Sequence, residues 1–189
     1  LRTYSHTTNG TAGDDYLYGL SYGAGRDKLN GLDGNDSVYA GSGDDIVTGG
    51  NGNDMLYGDD GNDTLSGNAG DDMVNGGTGN DIVIYESGAD IFSDYGGADT
   101  INITNAAITA ANMTLARPAG NPSDLEILFN GMHAFNIQGQ FNQSQDFETI
   151  RFSNGTTFDL STVQYTSNGT SDDDYLYGIS FGGNPNAVI

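Results

Sequence analysis

GLDGNDSVY (Gly31–Tyr39), AGSGDDIVT (Ala40–Thr48), GGNGNDMLY (Gly49–Tyr57), GDDGNDTLS (Gly58–Ser66), GNAGDDMVN (Gly67–Asn75), GGTGNDIVI (Gly76–Ile84), YESGADIFS (Tyr85–Ser93) and DYGGADTIN (Asp94–Asn102) follow one another without a gap. Every block is nine residues long, and the register never slips over eight blocks. Position four is always Gly: Gly34, Gly43, Gly52, Gly61, Gly70, Gly79, Gly88 and Gly97. Position six is always Asp: Asp36, Asp45, Asp54, Asp63, Asp72, Asp81, Asp90 and Asp99. Position eight is always large and apolar: Val38, Val47, Leu56, Leu65, Val74, Val83, Phe92 and Ile101. Two earlier blocks join the series through Gly13, Asp15, Leu17 and Gly25, Asp27, Leu29, with a three-residue insertion around Leu20 to Tyr22 between them. Self-similarity at a fixed short period is the mark of a solenoid.

The columns have a physical reading. One apolar residue between mixed neighbours predicts a three-residue strand with a single inward side chain. The Gly-rich residues before it suit a tight turn with positive φ. One block turns the chain through half a circuit, so two blocks complete a coil and successive coils stack as parallel strands in two sheets. Carbonyls of positions one and three of one turn then face those of positions two and four of the next. The position-six carboxylates end each row, and such an all-oxygen cage suits calcium, with six to eight hard ligands at about 2.3–2.6 Å. Magnesium prefers a smaller octahedron that keeps its waters. Zinc needs His or Cys, and the two His residues, His6 and His133, lie off the array.

These blocks resemble G-G-x-G-x-D-x-U-x, the repeat of the RTX or haemolysin-type calcium-binding family. The resemblance covers roughly Gly10 to Asn102 and implies an all-β, right-handed parallel β-roll with calcium between stacked turns. The metal-site residues read from the array are Asp15, Asp27, Asp36, Asp45, Asp54, Asp63, Asp72, Asp81, Asp90 and Asp99, with Gly34, Gly43, Gly52, Gly61, Gly70 and Gly79. Counting gaps between stacked Asp residues gives about seven Ca²⁺, with Asp15 a candidate for another. Tyr85 and Glu86, then Asp94 and Tyr95, replace the paired glycines at the end of the array. Weaker calcium binding there, or a chain turning away from the roll, are both open.

Composition agrees with a cation requirement. The 189-residue chain carries 26 Asp or Glu against 5 Lys or Arg, a formal charge of −21, and only 35% apolar residues. Such a chain does not collapse unaided. With so few basic residues it offers no phosphate-tracking surface, so nucleic acid is excluded as a partner. No apolar run reaches the length of a membrane span. Without Cys there are no disulfides, thiolate sites or Cys nucleophiles. The chain begins with Leu1 rather than Met, read as a processed precursor or part of something larger, and no N-terminal secretion signal is legible.

Beyond the array the period disappears. Residues 103–167 are read as a flanking β-rich, antiparallel cap that covers the open end of the roll of residues 10–102 and blocks strand addition. Alternating segments predict strands at Met113–Arg117, Asp124–Asn130, His133–Gly139, Phe147–Ser153 and Thr156–Leu160, with Asn105–Asn112 a short helix or loop. Asn130-Gly131 and Asn154-Gly155 are hairpin signals. DLEILFN and FETIRFSNGTTFDL also resemble the flanking segment that follows RTX arrays in large secreted bacterial proteins. From Asn168, NGTSDDDYLYGISFGG repeats NGTAGDDYLYGLSYGA of Asn9 onward, so residues 168–189 read as the start of a second repeat unit, or as a loose match to the terminus of some type I secreted proteins.

Other motifs weigh less. GLSYG (Gly19–Gly23) and GISFG (Gly178–Gly182) fit a nucleophile elbow, but that needs a strand, a helix and triad partners. No twelve-residue loop ends in Glu as an EF-hand requires. The run Asp172-Asp173-Asp174 fits a solvated turn or a calcium turn equally. Positions seven and nine of alternate blocks form an apolar outward stripe (Tyr16, Tyr18, Tyr39, Met55, Tyr57, Met73, Ile91), read as a docking surface for the cap or a partner rather than simple strand propensity.

The expectation is a calcium-binding, calcium-folded, non-catalytic module of a larger secreted bacterial protein. The family resemblance implies type I secretion, with folding outside the cell, where sites of about 10⁻⁴–10⁻³ M fill. Two alternatives stand beside it. One is an accessory polysaccharide-binding module, resembling in layout the RTX modules of mannuronan epimerases. The other is a structural spacer of an adhesin. A glycan or another module of the same protein is the partner each would take.

Overall fold

A computed structural model describes residues 5–20, 25–116, 118, 121, 123–140 and 147–163. The proposed restart at residues 168–189, with Asp172 to Asp174 and the second G-x-S-x-G motif, lies outside the described residues, as does part of the first. The strands of the array alternate between two sheets. One takes β1 (Thr7–Asn9), β3 (Lys28–Asp33), β5 (Ile46–Asn51), β7 (Thr64–Ala69), β9 (Ile82–Tyr85) and β11 (Asp99–Ile103). The other takes β2 (Tyr16–Tyr18), β4 (Ser37–Tyr39), β6 (Met55–Asp60), β8 (Met73–Thr78) and β10 (Asp90–Ser93). All these pairings are parallel and join residues two blocks apart, such as Val47 with Leu65 and Leu56 with Val74. This is the parallel β-roll that the nine-residue period predicts.

The position-eight side chains fill the space between the sheets. Leu17, Leu29, Val38, Val47, Leu56, Leu65, Val74, Val83, Phe92 and Ile101 are all buried. A coil thus contributes one inward residue per sheet, which makes the core thin. The strands are longer than three residues where the ladder continues around the corner. In β3 and β5, pairing resumes at Leu32 with Gly50 and Asp33 with Asn51. Turns of equal length stack in register, so their backbone groups stay paired while the chain bends.

The C-terminal part continues both sheets. β14 (Met132–Ile137) adds to β10, and β15 (Phe147–Phe152) adds to β11, both in parallel. The antiparallel pairs lie beyond these seams: β12 (Met113–Ala116) with β13 (Leu125–Phe129), β13 with β14, and β15 with β16 (Thr157–Asp159). Asn105–Asn112 contains only a three-residue 3₁₀ turn, Ala110–Asn112. Asn130 and Gly131 both take positive φ, +54° and +75°, in the tight turn joining β13 to β14.

At this junction the core widens and becomes aromatic. Tyr85 and Phe92 from the array meet Phe129 and Phe135 from the cap, with Tyr85–Phe135 and Phe92–Phe135 centroids both 4.9 Å apart. Among the described residues, much of the outward stripe stays exposed. Tyr16 is 72% and Tyr18 62% exposed, and Met55 and Met73 are exposed too. Tyr18, Tyr39 and Tyr57 stack as a cross-strand ladder at 5.3 and 4.9 Å. Among the described residues no helix is long and apolar enough to cross a membrane.

Candidate metal centre

Each turn runs from position one to the position-six Asp and carries left-handed backbone on the way. Position four has positive φ from Gly34 to Gly97, +139° at Gly61 for example. A Cβ there would also collide with the carbonyl of Gly43 in the preceding turn, so Gly is needed for both conformation and approach. Position two takes positive φ as well from Leu32 to Gly77, and here Leu32, Asp59 and Asn68 adopt it without being Gly. The carbonyls of positions two and four lean toward the following turn, those of Leu32 and Gly34 against Gly50 and Gly52. The position-three carbonyl points back and accepts the preceding position-four N–H, as from Gly61 to Thr78 at 2.9 Å. Facing rows of backbone oxygen therefore line each gap, as the repeat geometry implies.

The position-six carboxylates form a ladder of their own. Backbone N–H groups of Asp27, Asp36, Asp45, Asp54, Asp63, Asp72 and Asp81 donate to Oδ1 of Asp45, Asp54, Asp63, Asp72, Asp81, Asp90 and Asp99 at 2.7–3.0 Å. The other oxygen tells more. Oδ2 of Asp36, Asp45, Asp54, Asp63, Asp72, Asp81 and Asp99 is buried and has no hydrogen-bond partner. It leans over the position-one residue of its own turn. A Cβ on Gly49, Gly58 or Gly67 would strike Oδ2 of Asp54, Asp63 or Asp72.

Burial raises these carboxyls above their usual range, and like-charged neighbours add to it while the backbone N–H bond opposes. Asp63 is pushed up to about 8, Asp90 to about 7, and Asp54 and Asp81 to about 6. Asp36, Asp45, Asp72 and Asp99 are raised by burial in the same way. An isolated buried carboxylate is costly unless paired or bound to a metal. Lone carboxylate oxygens beside carbonyl rows form an all-oxygen donor set, which fits a hard cation of the calcium type.

The N-terminal members differ. Asp27 Oδ2 accepts the Leu20 N–H at 2.6 Å, and Asp15 Oδ2 accepts from the Thr11 N–H and hydroxyl at 2.6 and 2.9 Å. Both have protein partners that the interior columns lack.

Four features were not legible in the repeat or were passed over in it. Position five carries a second ladder, running the opposite way along the stack. The N–H groups of Asn53, Asn62, Asp71 and Asn80 donate to Oδ1 of Asn35, Asp44, Asn53 and Asn62 at 2.7–3.0 Å. The signal was legible, since Asn35, Asp44, Asn53, Asn62, Asp71 and Asn80 are all Asn or Asp. The column stops at Ala89 and Ala98, which only donate, to Asp71 and Asn80. In the position-six ladder, Glu148 of β15 stands in for the Asp that would follow Asp99, its carboxylate accepting the Asp99 N–H. Asp94, which breaks the glycine pattern, is buried and groups with Asp81 and Asp99, carboxylate oxygens of all three lying within 4.8 Å of one another. Tyr85, the other position-one substitution at the end of the array, packs into the aromatic core, and its hydroxyl donates to the Gly88 carbonyl at 3.1 Å. These two position-one departures thus do different things.

Comparison with known proteins agrees with the geometry. Residues 9–21, 21–56, 48–83 and 57–92 match the model of the RTX calcium-binding nonapeptide repeat, in four copies. No curated protein matches the chain.

Proposed function

From the premise that the repeat array belongs to the RTX calcium-binding nonapeptide family, we propose that this calcium-binding module is folded by the ions it binds and is a non-catalytic part of a larger secreted bacterial protein. Its roll is residues 10–102, its cap residues 103–167, and residues 168–189 open a second unit. The ligands are the Asp residues from Asp27 to Asp99 at position six with turn carbonyls, among them those of Gly34, Gly43, Gly52, Gly61, Gly70 and Gly79; Asp15 is the outermost member.

The single observation that carries this reading is the row of buried carboxylate oxygens without a partner, from Asp36 to Asp81 and again at Asp99. Calcium between stacked turns would neutralise them and satisfy the facing carbonyls. Cation binding then contributes directly to folding free energy. The same carboxylates are enclosed between turns, with Asp45 0% and Asp63 1% exposed. No substrate reaches them, which supports a structural rather than catalytic role. Export before folding follows from the calcium requirement, because sites of about 10⁻⁴–10⁻³ M stay empty in the cytosol and fill outside. The renewed motif at Asn168, offset by 159 residues from Asn9, supports a larger parent.

Circular dichroism with and without chelator tests the proposal. Excess chelator should leave mostly disordered chain, and calcium should restore the β signal cooperatively. A β spectrum indifferent to chelator overturns it.

A further inference from the structure

Asp94 occupies position one of the last turn in its stack, where the preceding turns have Ala40, Gly58 and Gly76. Its side chain drops into the gap between this turn and the one before. A Cβ on Gly76 would lie 2.6 Å from Asp94 Oδ1 and equally 2.6 Å from Asp81 Oδ2. In the preceding gap the corresponding neighbours of Gly58 are the Gly76 carbonyl and a single carboxylate, that of Asp63.

Each of the three acids is held in the same way. One oxygen accepts a backbone N–H: from Asp63 to Asp81, from Gly96 to Asp94, and from Asp81 to Asp99. The other oxygen, Oδ2 of Asp81, Oδ1 of Asp94 and Oδ2 of Asp99, is buried without a partner. Asp81, Asp94 and Asp99 are each only 1% exposed. Their backbone bonds fix the carboxylates in place before any ion arrives, which lowers the ordering cost of binding.

We propose that Asp94 is a direct calcium ligand and that the Asp81–Asp94–Asp99 gap is a three-carboxylate site, the tightest of the array. This deepens the calcium-binding reading and rests on it. Interior gaps bring two position-six carboxylates to one ion, so their charge matches a divalent cation. The last gap brings three, so a divalent ion leaves one negative charge uncompensated and a trivalent lanthanide leaves none. Affinity in all-oxygen sites rises with the count of charged ligands. The site therefore fills before the interior ones and favours lanthanide over calcium more strongly than they do. It also lies at the seam with the cap, since Asp99 donates its N–H to Glu148 of β15.

Calcium titration against a competing chelator, repeated with terbium, reads this out on the full chain. Three variants are compared with the unchanged protein: Asp94→Asn, which keeps shape and can still accept the Gly96 N–H, Asp94→Gly, which restores the motif residue, and the control Asp71→Asn. Asp71 is exposed and its role in the position-five ladder is open to Asn. The unchanged protein should show one ion bound ahead of the rest. Both Asp94 variants should lose that phase, with affinity there about tenfold weaker, and lose the extra preference for terbium. Asp71→Asn should keep both. All four proteins should reach the same circular dichroism spectrum at saturating calcium. An early phase unchanged in both Asp94 variants, or lost equally in the Asp71 control, overturns the assignment. Absence of calcium binding in every protein overturns the function proposed above as well.

Discussion

Asp63 sits mid-column between Asp45 and Asp81, and its two oxygens have different fates. Oδ1 accepts the Asp45 N–H at 2.7 Å, while Oδ2 is buried without a partner. Asp63→Ala strands a buried N–H and removes one charged ligand, at a cost of about 1–3 kcal/mol for each unsatisfied group. Asp159 has the same charge but is exposed, and it caps the 3₁₀ turn Leu160–Thr162 by accepting from Ser161. Asp159→Ala should leave the calcium midpoint of folding unmoved, whereas Asp63→Ala should raise it. Equal midpoints in a calcium titration of the two variants would reduce the array to a diffuse negative surface. At this scale the motif made position six legible, but not the second ladder at position five. Asn and Asp there resemble ordinary turn residues until the stacking direction shows which N–H each one faces.

Along a strand the decisive feature is alternation. In β7 Leu65 points inward and is fully buried; on β6 Met55, one residue before the inward Leu56, is 39% exposed. Leu65→Ala opens a void that a one-residue-thick core cannot refill from a second layer, and should destabilise the calcium-loaded roll by about 2–5 kcal/mol. Met55→Ala loses only partly wet contacts and should cost well under half as much. Urea unfolding in excess calcium measures both, and similar losses would contradict the inward register. In the cap, the strands anticipated from alternation appear within a few residues of their expected limits. Their direction at the seams was not legible. Alternation places one face of β14 and β15 on the core, but whether they join the roll in parallel depends on how the intervening chain crosses the end of the barrel-like coil.

For the whole molecule, the raised carboxyls set the pH behaviour without metal. Asp63 near 8, Asp90 near 7 and Asp54 and Asp81 near 6 all lie above the ordinary unfolded value of about 3.9. The folded, metal-free chain therefore holds more protons than the unfolded one between about pH 4 and pH 8. Their contribution to stability is present in full below about pH 4 and is lost as pH rises through these values. In chelator, circular dichroism should gain β signal on acidification from pH 8 toward pH 4.5. In calcium the direction reverses, because protons compete with the ion, and the calcium midpoint should rise as pH falls. A chelated spectrum identical at pH 8 and pH 4.5 would mean that the carboxylates are not buried in the metal-free chain.

Period, columns and donor chemistry were determined by the sequence alone, because each depends on a residue type recurring at one position. Nine residues without slippage demand equal coils; an Asp and an apolar residue in fixed register demand a carboxylate row and a core. Only the tertiary structure decided what each recurring or exceptional group meets. In the interior columns Oδ1 of the position-six Asp is spent on a backbone N–H two blocks back, leaving Oδ2 for a cation, as at Asp63 and Asp81. Tyr85 and Asp94 both break the same glycine column, yet one packs among Phe92 and Phe135 and the other joins Asp81 and Asp99. The difference is physical: a one-dimensional repeat records which positions are constrained, whereas the end of a stack has a neighbour on one side only, and what lies there is set by how the chain returns.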